Sequence, residues 1–277
     1  MFVITIALIV SLIKNLILFI LEGEFELENK PLINFVETKP LNIAGYTLIE
    51  GFPGMGLVGT IAVKYLSEKI NCKEAGYIVS ETFVPIIRVH NGLPVHPSRI
   101  YVSDKHKVVL LVSEQIVPQV FTDKMSKGIA DWIQKKKIGR VISLSGIRAL
   151  PKKEGKQTIY GIASDEKSKK MLEKYNIEII KEGITSGITA LMMLEFKDRS
   201  LEAFSILGNV QIAADYKASA ALIEKLNEMF TFKIDTAPLK KEAKATEKAL
   251  LEHLKQLKQA SGEVKKFETE THTPMYT

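Results

Sequence analysis

Cysteine is nearly absent from this chain of 277 residues, in which Cys72 is the only one. A single cysteine cannot form an intramolecular disulfide, and it has no partner for the paired spacing of a zinc site. One thiol fits a reducing compartment, so we expect a cytoplasmic protein. We interpret Cys72 as a small core or surface residue, with a catalytic nucleophile as the less favoured alternative.

The sequence also lacks the motifs of several enzyme classes. It has no Walker A motif and no paired Cys/His spacing, and residues 144–146 (LSG) lack the flanking glycine of a nucleophile elbow. Asp104, Glu114 and Asp123 end or follow predicted strands, where α/β active sites gather. They fit helix caps or solvated loop acids equally well. We therefore expect no enzyme, no metal site and no cofactor.

A basic stripe interleaved with aromatic residues is missing too. The net charge is +6 and the isoelectric point is near 9.1, but lysine and glutamate are mixed along most of the chain. Nucleic-acid binding needs a concentrated basic surface. The diffuse excess of positive charge therefore predicts no nucleic-acid partner.

Residues 1–24 form a hydrophobic N-terminal extension, and 1–21 are almost entirely apolar. About 20 apolar residues can span a bilayer, which favours a membrane anchor. Lys14 opposes that interpretation, because a charge deep in the bilayer costs roughly 2.5–3.5 kcal/mol. A wrongly placed start codon is the other interpretation, and both remain open.

Apolar runs alternate with helical patterns through the middle of the chain. Residues 108–112 and 140–144 are continuous apolar runs typical of strands buried on both faces. Residues 57–70 and 122–136 have helical spacing. This alternation predicts one α/β domain over 25–232, with three layers: a largely parallel or mixed central sheet and helices on both faces.

Two local features are predicted within that domain. Asn91-Gly92 favours a tight turn between strands 84–89 and 100–102, as in a hairpin. Ser164 is expected to cap a helix over 165–175, because a serine oxygen can accept a hydrogen bond from a free helix N–H.

The C-terminal part has a different composition. Residues 233–259 are rich in Lys, Glu, Ala and Leu, and predict a helix with Leu250, Leu254 and Leu257 on one narrow stripe. That stripe fits a helix packed on its own domain, or a short helix–helix seam between subunits. Residues 260–277 are polar and predict a flexible tail.

Residues 54–59 (GMGLVG) satisfy G-x-G-x-x-G, the dinucleotide-binding fingerprint. In the dinucleotide fold, the buried strand runs directly into the first glycine. Here Glu50, Gly51 and Pro53 are expected to intervene and to make a longer turn, since proline cannot donate to a sheet ladder. A nucleotide- or phosphate-binding enzyme that uses this turn stays as the alternative hypothesis.

Residues 50–59 (EGFPGMGLVG) as a whole resemble the signature of the archaeal proteasome assembly chaperone family. Two further stretches resemble that family: residues 183–187 (GITSG) before an apolar helix, and Asp215 before residues 217–221 (KASAA). The resemblance covers about 25–230. It implies a non-enzymatic chaperone or ATP-independent activator of the 20S proteasome, acting as a homo-oligomer or with a paralogous chaperone.

The last three residues, Met275, Tyr276 and Thr277, resemble the hydrophobic-Tyr-X (HbYX) motif that docks proteasome activators and assembly chaperones between 20S α-subunits. A terminal carboxylate is an anion that a pocket can capture, and tyrosine supplies a large amphipathic surface. Repeating the tail in an oligomer raises its effective concentration. These residues are the predicted protein-binding site.

The glycine-rich stretch then gains a structural interpretation as a tight strand-to-helix connection, formed by Gly51, Pro53, Gly54, Gly56 and Gly59. Glycine at such positions allows close approach of the backbone to another element. A membrane-tethered adaptor is a third hypothesis, which depends only on residues 1–21.

Overall fold

A computed structural model describes residues 33–148, 158–210, 212, 214–239 and 241 of the chain. The predicted N-terminal extension 1–24, the tail 260–277 and nearly all of segment 239–259 lie outside these residues. In the part that the structure describes, no helix is both long and apolar enough to cross a membrane.

A nine-stranded mixed sheet forms the middle layer, in the order β1-β3-β6-β7-β2-β8-β11-β9-β10. The central strands β7, β2, β8 and β11 are parallel to one another, and β1, β3, β6 and β9 enter antiparallel pairs. Strands β4 and β5 form a separate hairpin. The strands are β1 (Asn34–Glu37), β2 (Thr47–Gly51), β3 (Lys73–Val79), β4 (Arg88–His90), β5 (Leu93–Val95), β6 (Ser98–Ser103), β7 (Val108–Ser113), β8 (Arg140–Ile147), β9 (Ile159–Ala163), β10 (Glu178–Ile179) and β11 (Ala203–Asn209).

Helices cover both faces of this sheet. They are α1 (Val58–Lys69), α2 (Thr122–Lys135), α3 (Glu166–Lys174), α4 (Ile188–Asp198) and α5 (Tyr216–Phe230). Residues of α1, α3 and α5 share one hydrophobic cluster, and residues of α2 and α4 share the other. The predicted three-layer α/β fold with a mixed central sheet is confirmed.

Burial on both faces explains the continuous apolar strands. Every residue of β7 is buried. In β2, Leu48 belongs to the α2–α4 cluster and its neighbour Ile49 to the α1–α5 cluster, because successive side chains of a strand point to opposite faces. Both are fully buried, and each such burial contributes about 1.5–3 kcal/mol.

Asp165, and not Ser164, caps α3. Its Oδ1 accepts a hydrogen bond of 2.7 Å from the backbone N–H of Ser168. The Ser164 hydroxyl instead lies 2.9 Å from each of the carbonyl oxygens of Leu201 and Ala203. The prediction was wrong by one residue, because a serine and an aspartate stand side by side and pairing with the neighbouring strand decides which of them faces the helix.

The predicted hairpin is also shorter than expected. Asn91 and Gly92 do form the turn, both with positive φ, but they join β4 to β5 and not to residues 100–102. Those residues belong to β6, which pairs with β3 and β7 in the main sheet. The hairpin is therefore an arm attached to the domain, and not part of its central layer.

Candidate functional site

The glycine-rich stretch connects β2 to α1 at the carboxyl edge of the parallel strands. Strand β2 continues through Glu50 to Gly51, so the expectation that these two residues lie in the turn was wrong. The connection consists of residues 52–54 and a 3₁₀ turn over Met55–Leu57. Gly56 has a φ of +64° within that turn, a conformation that glycine adopts readily.

Two of the glycines allow α1 to lie directly on the sheet. A Cβ atom on Gly51 would lie 2.2 Å from the carbonyl oxygen of Gly59, and one on Gly59 would lie 2.0 Å from that of Leu144. Both contacts are with backbone, which cannot rotate away. These glycines are therefore required for the close packing of α1 against β2 and β8.

The space beside Gly56 is also filled by other protein atoms. A Cβ atom there would lie 2.7 Å from Cγ1 of Val210, and the Gly56 carbonyl accepts a 2.8 Å hydrogen bond from the N–H of Asp215. In a dinucleotide site, the corresponding glycines leave room for the pyrophosphate. Here protein atoms occupy that room, which disfavours the nucleotide-binding alternative and favours a structural connection.

The three motif stretches meet at this edge. Asp215 Oδ1 accepts a 2.8 Å hydrogen bond from the N–H of Ala218 and caps α5, while its own N–H binds the glycine turn. Residues 183–187 lead into α4, and Gly187 has a φ of +88° at its N-cap. The glycine turn and Thr185–Gly187 both line one cleft.

That cleft has a volume of about 670 Å³ and lies between the glycine turn, the end of β8 and the first half of α4. Its lining includes the hydroxyl-bearing residues Ser145, Ser186 and Thr189, and Lys197 stands on its α4 side. Within the described ranges, no three His, Cys, Asp or Glu residues are grouped to hold a metal ion.

Glu50 lies beneath this region and is fully buried. Neither of its carboxyl oxygens has a hydrogen-bond partner among the described residues, and the same holds for the hydroxyl of Ser143, its register partner on β8. Burial raises the pKa of Glu50 to about 8, and the nearby hydroxyl of Ser143 offsets only part of that rise. The carboxyl group is therefore largely neutral at pH 7.

Glu114 is surrounded by three cationic side chains, an arrangement that the sequence did not predict. Its side chain is buried and contacts Nη1 of Arg88, with Nζ of Lys64 at 3.5 Å and Nη2 of Arg99 at 3.9 Å. Burial lowers the pKa of Lys64, while the Glu114 carboxylate acts to raise it. The expectation of a helix cap or a solvated loop acid was wrong for Glu114, because residues far apart in sequence meet there.

The hairpin of β4 and β5 carries an exposed apolar surface, which we call the apolar arm. Ile87, Val89 and Leu93 are each more than 60% exposed, at 64%, 63% and 67%. Arg88 joins this arm to the domain through its ion pair with Glu114. Val89 pairs with Pro94 and Leu93 with His90, so the exposed apolar side chains lie on both faces of the hairpin.

The predicted docking residues Met275, Tyr276 and Thr277 lie outside the described residues. Their role stays a prediction. The predicted structural residues Gly51, Pro53, Gly54, Gly56 and Gly59 all lie in or beside the β2–α1 connection.

Comparisons with known proteins agree with this fold. A Methanocaldococcus jannaschii protein described as uncharacterized is 30% identical over 237 residues, which are 83% of this chain and 96% of that protein. The crystal structure of Pyrococcus furiosus PbaA, an archaeal homolog of proteasome-assembly chaperone, superimposes with a TM-score of 0.72 at 27% identity, over 83% of this chain and 99% of PbaA.

Pyrococcus furiosus PbaB, an archaeal proteasome activator, matches with a TM-score of 0.67 at 21% identity, over 80% of this chain and 98% of PbaB. At that identity the likeness shows a shared fold. The model of the PAC2 family matches residues 48–254, which include the glycine turn, the cleft and the Asp215 cap. The chain belongs to the PAC2 family.

Proposed function

We propose that the protein is a non-enzymatic proteasome assembly chaperone or ATP-independent activator of the 20S proteasome. The observation that carries this proposal is its PAC2 family membership together with its likeness to PbaA across 83% of the chain. PbaA is described as a homolog of proteasome-assembly chaperone, and PbaB as a proteasome activator. The proposal places the chain in the cytoplasm with 20S particles.

The proposed contact with the 20S α-subunits is made by the C-terminal tail. Met275 packs in a groove, Tyr276 inserts and orients the tail, and the carboxylate of Thr277 pairs with a cation or backbone amides. Residues 260–277 supply the reach, since 18 extended residues at about 3.3 Å each span on the order of 60 Å. Several tails on one homo-oligomer bind more tightly than one.

The described surface supports binding to protein. The apolar arm offers Ile87, Val89 and Leu93 to solvent, and its attachment through Arg88 and Glu114 holds it to the domain. Gly56 and Gly59, two of the three glycines of the fingerprint, are packed against protein atoms and leave no room for a phosphate. Assembly and activation both need an interaction surface and neither needs a catalytic group on this chain.

Deletion of residues 275–277 tests the proposal. We expect the truncated protein to retain its fold and to lose co-purification with 20S particles, because the terminal carboxylate and the tyrosine are removed together. Phe267→Ala is the matched control, since it removes an aromatic side chain from the same tail outside the motif. Undiminished co-purification of the truncated protein would show that the tail is not the docking element.

A further inference from the structure

The cleft between the glycine turn and α4 lies at the edge where open α/β sheets bind ligands. Its lining comes from the residues after β2, the end of β8, and β11, which are parallel strands that end at this edge. Ligands of such sheets bind outside the carboxyl ends of the strands. The volume of about 670 Å³ also lies within the range of about 300–1,000 Å³ that is usual for small-molecule sites.

The charged residues that line this cleft are both cations. Arg148 follows the end of β8 and Lys197 lies in the last turn of α4, and both are exposed. No aspartate or glutamate is among the described residues of the lining. Neither cation has an ion-pair partner among the described residues. The charge of the cleft therefore favours a negatively charged occupant.

Polar groups converge at the end of the cleft that contains Arg148. Ser145, Ser186 and Thr189 bring hydroxyl groups to the lining there. Residues 187–190 at the start of α4 line the cleft too, and no described side chain caps this helix. The free N–H groups of a first helical turn favour an anion, as does the helix dipole.

A buried hydroxyl faces the same side of the sheet. Ser143 lies two residues before Ser145 on β8 and is the register partner of Ser205 on β11, and both of these serines line the cleft. Alternate residues of a strand point to one face, so the Ser143 side chain points to the side on which the cleft lies. It is fully buried, and its hydroxyl has no hydrogen-bond partner among the described residues. Such a group costs stability, so packing alone does not explain a serine here.

The buried acid beside Ser143 does not oppose an anion. Glu50 is the register neighbour of Ser143 on β2, and its side chain points to the same side of the sheet. Because burial raises the pKa of Glu50 to about 8, its carboxyl group is largely neutral at pH 7. The charge of the cleft at this pH is therefore that of its two cations.

The middle of the cleft is apolar. Side chains from one face of α4 and from the strands β9 and β11 line it: Ala190, Met193, Leu194, Ile162 and Leu207. The part of α4 that lines the cleft runs from residue 188 to residue 197, about 14 Å at about 1.5 Å per residue. Lys197 lies at the far end, where the helix dipole disfavours an anion. An occupant therefore has its anionic group near Arg148 and an apolar body towards Met193.

We propose that this cleft binds a small organic anion, with its carboxylate or phosphate group by Arg148, Ser145 and the first turn of α4 and its apolar body along Met193. Guanidinium and hydroxyl groups bind carboxylate and phosphate oxygens by the same charge-assisted hydrogen bonds, so both head groups fit the site. The site does not use the glycine fingerprint as a whole, since Gly54 is the one of its three glycines that lines the cleft. It goes beyond the proposed function, because its ligand is a small molecule and its contacts do not involve the proteasome.

Isothermal titration calorimetry of the full-length protein with four probes tests the proposal. Octanoate and octyl phosphate carry both an anionic group and an apolar body, whereas 1-octanol lacks the charge and inorganic phosphate lacks the apolar body. We expect at least one octyl anion to bind, and 1-octanol and inorganic phosphate to bind at least about tenfold more weakly. The tighter of the two anions identifies the head group. Absence of binding by both anions overturns the proposal, as does equally tight binding of 1-octanol.

Arg148→Gln tests the position of the head group. We expect it to weaken binding of the tighter anion at least about tenfold, because it removes a charge-assisted hydrogen bond. Lys197→Gln is the matched control, since it removes a cation from the other end of the same cleft, and it should change the affinity less than about twofold at about 0.15 M salt. Both side chains are exposed, so neither substitution disturbs the core. An unchanged affinity in Arg148→Gln, or an equal loss in both variants, refutes the proposal.

Methionine methyl NMR shows where the apolar body lies. Met55 and Met193 line the cleft, whereas Met229 lies on α5 and packs against the α1–α5 cluster. On addition of the tighter anion, we expect the methyl signals of Met55 and Met193 to shift and that of Met229 to stay in place. Unshifted signals of Met55 and Met193 would show that the probe binds elsewhere and contradict the proposal. These measurements contain no proteasome, so their failure leaves the test of the C-terminal tail unaffected.

Discussion

Glu50→Gln is expected to stabilise the protein at neutral pH. Glu50 is fully buried on β2, and its carboxyl oxygens have no hydrogen-bond partner among the described residues. Glutamine has nearly the same shape and is neutral at every pH. The substitution therefore removes the need to protonate a buried acid and leaves the packing of β2 almost unchanged.

The magnitude follows from the two pKa values of the carboxyl group. Its ordinary value is 4.5 and its folded value is about 8. Folding at pH 7 therefore requires protonation of a group that is ionised in the unfolded chain, which costs about 3 kcal/mol at about 1.36 kcal/mol per pKa unit. At pH 5 the same cost is about 1 kcal/mol, because the group is already partly protonated in the unfolded chain.

The sign of the pH dependence is set by the raised folded pKa. Between pH 4.5 and 8, the folded state binds a proton that the unfolded state lacks, so the stability of the wild type falls as pH rises. The Glu50→Gln variant has no such dependence from this position. Its advantage over the wild type grows from about 1 kcal/mol at pH 5 to about 3 kcal/mol at pH 7.

Urea unfolding of both proteins at pH 5, 6 and 7 measures this difference directly. Glu202→Gln is the matched control, because burial acts to raise the pKa of Glu202 but hydrogen bonds from Lys167 and Arg140 hold it below the usual value. The Glu202→Gln variant loses stability at neutral pH. A Glu50→Gln difference that is constant from pH 5 to 7, or a loss of stability at pH 7, would refute the reasoning.

Two further substitutions test the packing at the carboxyl edge by the same unfolding assay. Gly59→Ala should lower the free energy of unfolding by about 3 kcal/mol, because the new Cβ would lie 2.0 Å from a backbone oxygen. Gly54→Ala should change it by less than about 0.5 kcal/mol, because the nearest contact of its Cβ is 3.4 Å away. Equal effects of the two substitutions would contradict the packing role of Gly59. Asp215→Ala should lower the free energy of unfolding by about 1 kcal/mol or more, because it removes the cap of α5. Asp215→Asn should retain most of that stability, since asparagine also caps helices. Equal stability of the two variants would show that the cap contributes nothing.

The parts of the fold that sequence predicts well are those where burial is uniform. Strand β7 is buried on every side chain, so its apolar run is unmistakable in the sequence. Asp215 was singled out as part of a family-like motif at a helix start, and the structure shows that its carboxylate caps α5. These signals are local, since they depend on residues a few positions apart.

The glycine turn shows where local signals are insufficient. Its sequence matches a phosphate-binding fingerprint, yet the space beside Gly56 contains Val210, which is 154 positions further along the chain. The length of β2 was underestimated for a related reason. A glutamate inside a buried strand contradicts the usual composition of strands, and only pairing with β7 and β8 shows that Glu50 and Gly51 continue the strand.

By itself, the sequence determined the layered α/β class, the family resemblance and the candidate docking tail. Those properties follow from hydrophobic periodicity and short motifs, which a linear pattern contains. Only the tertiary structure decided that Glu114 contacts three cationic side chains and that Glu50 is buried with no hydrogen-bond partner among the described residues. These depend on which distant segments come together, because burial and charge pairing are properties of the packed chain.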